Sequence, residues 1–337
     1  MTGKQRYLAT LAGEPIDHLA RLPILMRWAA DYISAPYGEF CQGALVKADA
    51  NIRCANEYGL DVVSVMSDPF SETEAFGGDI VFHDDATPEC PHPPLAETRD
   101  LATLKRPDSH NSRRLANTLK TVRLYAVAAE RGEHAASILG WVEGPAAEAA
   151  DLRGVSQFLL DLMDDPAWCG ELMDRCVDVA AEFAAAQCEA GADTIGIGDA
   201  ICSQVSPALY IQWVLPRQKK LCQAIKATGA IVRMHICGNI THLLPGLATL
   251  PLDILDVDHM VDIAAVRRAM PERVALVCNI DPVADVLEGT PESIPAAVRK
   301  RYEQAGDPFF VGAGCEIPPG TPPGNLRALC RPLRGKS

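Results

Sequence analysis

The sequence predicts an α/β chain folded as a single (β/α)8 TIM barrel with an N-terminal helical extension, one domain over residues 1–337. Three observations carry this. Short runs rich in Val, Ile and Leu alternate with longer helical segments, as parallel β-α-β units require. Eight such runs can be counted, which suits a closed barrel better than an open doubly wound sheet. Several runs end in a polar or glycine-bearing exit, as strands do when they feed an active-site rim.

In chain order, residues 4–12 read as a short amphipathic helix closed by Gly13-Glu14-Pro15, and residues 22–27 as the first strand. A helix over 44–58 ends at Gly59, a C-terminal stop that glycine serves well. Residues 60–67 form the second strand, with Asp68-Pro69 at its exit. Residues 79–83 read as a small excursion strand, followed by a proline-rich loop to Pro94. A helix over 113–132 leads to the third strand, 136–142, which exits at Glu143-Gly144-Pro145. A long helical region over 146–191 is interrupted near Asp165-Pro166, where proline cannot continue a helix. The fourth strand is 193–199, followed by a helix over 207–229, and the fifth is 230–237. Strands at 252–258, 273–280 and 308–313, with helices at 261–269 and 293–305, complete the count. Near the C-terminus Thr321 reads as an N-cap with Pro322 at the first helical position. Cys330-Arg331-Pro332 interrupts the closing helix.

Composition narrows the function classes. Hydrophobic residues make up 48% of the 337, enough for a large core. The net charge is -13 and no basic run exists, so neither nucleic acid nor an anionic membrane surface is an expected partner. No segment reaches the roughly 18 apolar residues of a membrane span, and the first residues hold no apolar signal core, so a cytoplasmic location is expected. The 12 cysteines are irregularly spaced, which suits small buried side chains and a few ligands rather than a disulfide framework. No Gly-x-Gly-x-x-Gly loop, Walker loop or Gly-x-Ser-x-Gly elbow is present.

The strand exits collect Arg27, Asp68, Glu143, Asp199, His235, Cys237, Asp258, Asn279 and Cys315. Carboxylates at such exits suit acid–base work, so Asp68, Glu143 and Asp199 are the catalytic candidates; Arg27, Asp258 and Asn279 are the substrate-binding ones. A strand exit is also polar simply because the chain turns there. The central stretch is His235-Ile236-Cys237-Gly238-Asn239: residues two apart on a strand share a face, so an imidazole and a thiol project together. Cys315 follows the eighth strand in a Gly312-Ala313-Gly314-Cys315 loop stiffened by the prolines after it. Three soft donors at one rim, without a fourth, suit a catalytic zinc ion with an open position. The spacing alone leaves the alternative open that His235 is a core histidine and the two cysteines fill space. Cys202 and Cys278, also near strand ends, compete as ligands; Cys169, Cys176, Cys188, Cys222 and His242 read as structural.

With these residues in hand, the chain resembles the uroporphyrinogen decarboxylase superfamily, and most of all its cobalamin-dependent branch, which includes methylcobalamin:coenzyme M methyltransferases. The resemblance runs through Arg6-Tyr7-Leu8-Ala9-Thr10-Leu11-Ala12-Gly13-Glu14-Pro15, Ser67-Asp68-Pro69-Phe70, Glu143-Gly144-Pro145, His235-Ile236-Cys237-Gly238-Asn239 and Gly314-Cys315. It implies zinc ligation by His235, Cys237 and Cys315, and methyl transfer between a corrinoid (cobalamin) and a small substrate such as a thiol. An Asp-x-His-x-x-Gly corrinoid motif is missing, since Asp108-Ser109-His110 lacks the glycine, so the resemblance implies a corrinoid protein as partner. A homodimer is compatible with it. The alternative is a decarboxylase of tetrapyrrole biosynthesis, to which Asp68 corresponds. The arginine-rich loop that holds propionates there is replaced by Trp28-Ala29-Ala30-Asp31-Tyr32 after Arg27.

Overall fold

The computed structural model describes residues 1–335. Eight parallel strands form one sheet: β1 (Ala20–Arg21), β2 (Val62–Ser64), β3 (Ser137–Glu143), β4 (Thr194–Gly198), β5 (Ile231–Ile236), β6 (Ile254–Val257), β7 (Ala275–Val277) and β8 (Phe309–Val311). Each strand from β2 onward pairs with the next, and β8 pairs with β1, so the sheet curls into a (β/α)8 barrel. At the remaining seam, the Asp61 N–H donates to the Arg21 carbonyl at 2.9 Å.

Side-chain alternation divides the strands. Ala20, Val62, Leu139, Ile254, Ala275, Val277 and Phe310 point inward and pack together, while Ile195, Ile197, Val232 and Met234 face the surrounding helices. The helix Gly3–Ala12, capped by the Thr2 side chain, closes the bottom. Its Tyr7 ring packs 5.1 Å from Phe310, and its hydroxyl bonds Thr194 Oγ1 at 2.8 Å. Above this apolar floor the inward positions turn polar: Trp141 and Glu143 on β3, Arg233 and His235 on β5, Asp256 on β6. Inward positions 196 and 198 of β4 are glycines, and the Trp141 indole occupies their space. A Cβ on Gly196 would stand 2.2 Å from a ring carbon. Gly196→Ala should therefore lower the unfolding free energy in urea by about 1–3 kcal/mol, as overpacking does.

Several elements differ from expectation. The first strand is not 22–27: β1 ends at Arg21, and only the Leu22 N–H still reaches the Val311 carbonyl, at 2.8 Å. The Val-, Ile- and Leu-rich signal extended past the pairing because Leu22, Ile24 and Leu25 remain buried as an irregular segment. Arg27 consequently opens the helix Arg27–Tyr32 instead of ending a strand. The excursion strand at 79–83 reduces to one bridge between Val81 and Glu89. The last helix, Pro323–Leu329, has Pro322 at its N-cap; the Thr321 hydroxyl turns back to the Pro318 carbonyl at 2.8 Å. The interruption at Asp165 is present, and Gly154, at φ +89, adds a second break. No helix among the described residues is long and apolar enough to cross a membrane.

Candidate metal centre

His235 is the last inward residue of β5, level with Gly198 on β4 and Asp256 on β6. Cys237 follows at the turn, where Gly238 adopts φ +80, a conformation that costs glycine nothing. The Gly238 N–H donates to Asp258 Oδ2 at 2.9 Å, which fixes the turn against the β6 exit. From the far side, the loop after β8 is held by the Gly314 N–H on the Ile280 carbonyl at 2.9 Å. A Cβ on Gly314 would stand 2.4 Å from the His259 nitrogen, so only glycine lets the two loops come this close. That approach delivers Cys315.

The two strand ends meet. Cys237 Sγ is 3.0 Å from His235 Nε2 and 3.5 Å from Cys315 Sγ, and Cys315 Sγ is 3.9 Å from His235 Nε2. All three donor atoms lie within 4.8 Å of one another. Tetrahedral zinc, with Zn–S near 2.3 Å and Zn–N near 2.0–2.1 Å, sets donor–donor edges of roughly 3.3–3.8 Å. The residues therefore fit such an ion with little adjustment. On the other side of the ring, His235 Nδ1 faces Asp256 Oδ2 at 3.2 Å, and Asp256 is paired in turn with Arg233. A carboxylate behind the imidazole, on the side away from the two sulfurs, is where the group that orients a histidine at a metal site stands.

Without a metal these donors share protons. Burial disfavours a charged imidazole, but the Asp256 carboxylate outweighs it and raises His235 to about 10. The hydrogen bond from Cys237, and then His235, pull Cys315 down to about 4 against burial. The same bond, with burial, pushes Cys237 up. A cation that replaces those protons would meet a preassembled donor set.

The other candidates fall into different places. Asp68 is buried and held by the Arg114 guanidinium through both oxygens, with Ser67 Oγ at 2.8 Å; its carboxyl lies below the ordinary range, since Arg114 outweighs the burial. Asp199 accepts the Ala147 N–H at 2.7 Å and Gln218 Nε2 at 2.8 Å, which anchors the first turn of the helix Pro145–Arg153. Burial raises it to about 6. Asn279 donates to the carbonyls of Asp258 and Val261 at 3.0 and 2.8 Å and so shapes the β6 exit. Arg27 donates its backbone N–H to Glu316 Oε1 at 3.1 Å, beside Cys315. Glu143 accepts from Trp141 Nε1 at 3.0 Å. Of the competing cysteines, Cys202 lies under Gln218 and Cys278 is fully buried, and neither joins the donor cluster. His242 bonds the Val205 carbonyl at 3.0 Å, a structural role.

Sequence reasoning missed Asp256, Arg233 and Trp141. The signal for the first was a carboxylate inside an otherwise apolar strand, Ile254-Leu255-Asp256-Val257; for the second, the inward position two before His235.

The model of the uroporphyrinogen decarboxylase (URO-D) family matches residues 2–335. The methylcobamide:CoM methyltransferase MtbA of Methanosarcina mazei is 29% identical over 335 residues, spanning 97% of this chain and 96% of that protein. The uroporphyrinogen decarboxylase of Chlorobium phaeovibrioides is 27% identical over 357 residues, spanning 98% and 97%. Among solved structures, a methyltransferase from Methanosarcina mazei superposes with a TM-score of 0.87 at 25% identity, covering 98% of this chain and 97% of that one. The chain thus belongs to the uroporphyrinogen decarboxylase family, on its methyltransferase branch.

Proposed function

We propose that this chain is a zinc-dependent methyltransferase that moves a methyl group between a corrinoid, carried on a partner protein, and a small substrate such as a thiol. The observation that carries the reading is the convergence of His235, Cys237 and Cys315 at the barrel rim, with His235 oriented by Asp256. A zinc ion held by those three donors supplies a Lewis-acid position on which a thiol, with an ordinary pKa near about 8.5, is deprotonated at neutral pH.

The rest of the mouth supports that position. Arg233 neutralises Asp256, so the carboxylate orients His235 without lending the site a net negative charge. Asp258 and Asn279 hold the β6 exit against Gly238 and thereby keep Cys237 within reach of Cys315. Asp68 and Asp199 act as anchors of the β2 exit and of the helix after β3, rather than as groups that exchange protons with substrate. Glu143, with one oxygen not hydrogen-bonded, is the carboxylate that meets substrate. The decarboxylase alternative gains nothing from the site: the aspartate it needs is already neutralised by Arg114.

The purified chain should contain one zinc per protein by metal analysis and should methylate a small thiol from methylcobalamin, free or carried on a corrinoid protein. A chain that holds no zinc and instead removes carboxylates from uroporphyrinogen would refute this reading in favour of the alternative.

A further inference from the structure

Two of the three donors at the barrel rim are cysteines, and their sulfurs are in contact. Cys237 Sγ and Cys315 Sγ lie 3.5 Å apart, although 78 residues separate them in the chain. A disulfide bond is about 2.05 Å long, so the sulfurs stand roughly 1.5 Å outside bonding distance. Neither cysteine belongs to a strand or a helix: Cys237 follows β5 at a turn, and Cys315 follows β8 in a loop. Rotation of the two side chains, with a small shift of the loops, closes such a gap.

The rest of the chain sets this pair apart. Of the 12 cysteines, eight are buried, and four are partly exposed: Cys90, Cys188, Cys237 and Cys315. Cys188 accepts the Thr228 hydroxyl at 3.3 Å. Among the described residues, Cys237 and Cys315 are the one pair of cysteines joined by a sulfur–sulfur contact. A thiol bound to zinc is deprotonated, and the thiolate is the form that attacks an oxidant. The rim therefore places two nucleophilic sulfurs side by side where small molecules enter.

We propose that Cys237 and Cys315 are also a redox pair, which a peroxide converts into a disulfide that can no longer hold the zinc ion. For the ion that is displaced, this inference rests on the zinc reading above. One thiolate attacks a peroxide oxygen, the O–O bond breaks, hydroxide leaves and the sulfur becomes a sulfenic acid. The other thiolate then attacks that sulfur, the S–O bond breaks and a second hydroxide leaves. The two sulfurs lose two electrons, and the peroxide gains them. Thiolate is the ligating form of cysteine, so His235 is left as the last of the three donors. A dithiol restores both thiolates by exchange. The disulfide ties the β5 exit to the β8 exit, the two ends that the ion bridges in the reduced chain. The site is thus switched off while the barrel keeps its fold.

Titrating the zinc-loaded full chain with hydrogen peroxide tests this. A chromogenic chelator reads the zinc released, and peptide mass spectrometry after alkylation reads each cysteine. One zinc should leave for each cross-linked Cys237–Cys315 peptide pair formed, and the pair should react at least about tenfold faster than Cys90 or Cys188. Dithiothreitol followed by zinc should restore the metal content. The double variant Cys90→Ser with Cys188→Ser should behave like the parent. In Cys315→Ser, Cys237 has no partner and should proceed to a sulfinic acid. Zinc loss without the cross-link, oxidation of Cys90 or Cys188 ahead of the pair, or a parent chain that dithiothreitol and zinc do not restore overturns the proposal. If the chain holds no zinc yet forms the cross-link reversibly, the zinc reading fails and the redox pair stands. If zinc is held stoichiometrically and leaves without a cross-link, the reverse holds.

Discussion

Arg114→Met should destabilise the fold by about 3–5 kcal/mol, because it strands Asp68 as a buried charge with its counter-ion removed. Both side chains are essentially inaccessible, at 2% and 0% exposure, so solvent does not screen the loss. Arg114 also donates to Ser67 Oγ and to the Cys41 carbonyl, each at 3.3 Å, and sits over the Phe82 ring, so the same arginine ties together the β2 exit, the helix Tyr37–Gln42 and the loop that follows residue 76. Chemical denaturation checks the magnitude. The double variant Arg114→Met with Asp68→Leu should recover much of the loss, since replacing both partners with apolar groups removes the unpaired charge. If the single variant is as stable as the parent, the pair is not the anchor described.

Cys315→Ala should lower zinc affinity by more than about 100-fold while the barrel stays folded, since the cysteine lies on a loop after β8 and not in the packed core. Asp256→Asn keeps all three donors and should cost about 10–100-fold in affinity, the usual range for a group that orients a ligating histidine. The two variants separate ligation from orientation. Competition with a chromogenic chelator gives both affinities, and circular dichroism confirms the fold. Unchanged affinity in Cys315→Ala would remove this cysteine from the ligand set. Unchanged affinity in Asp256→Asn would mean that packing, not the carboxylate, sets the His235 ring.

Much of this was legible in the sequence. The eight apolar runs gave the barrel because each long buried strand, such as β3 or β5, carries its own signal in Val, Ile and Leu. Where the strand is only two residues, as β1 is, the apolar run around it is no guide to where pairing stops. The three donors were legible because residue type and exit position coincide at His235, Cys237 and Cys315. What could not be read was proximity across the barrel. That Asp256 stands behind His235 follows from the β5–β6 register, and that Trp141 fills the space of two glycines on the neighbouring strand follows from packing. For the same reason the partner of Asp68 could not be read: its arginine lies 46 residues away on a separate helix.

The seam between β1 and β2 has a consequence for how the ring is completed in time. Asp61, fully buried there, takes the Arg21 N–H at 2.7 Å and the Arg6 guanidinium of the N-terminal helix. Because β1 has β8 as its ladder partner and meets the β2 segment only through Asp61, β1, made before the other seven strands, waits for the last of them to complete its pairing. The N-terminal helix, through Arg6 and Asp61, is then what keeps that waiting end beside β2, so the ring closes where it was begun.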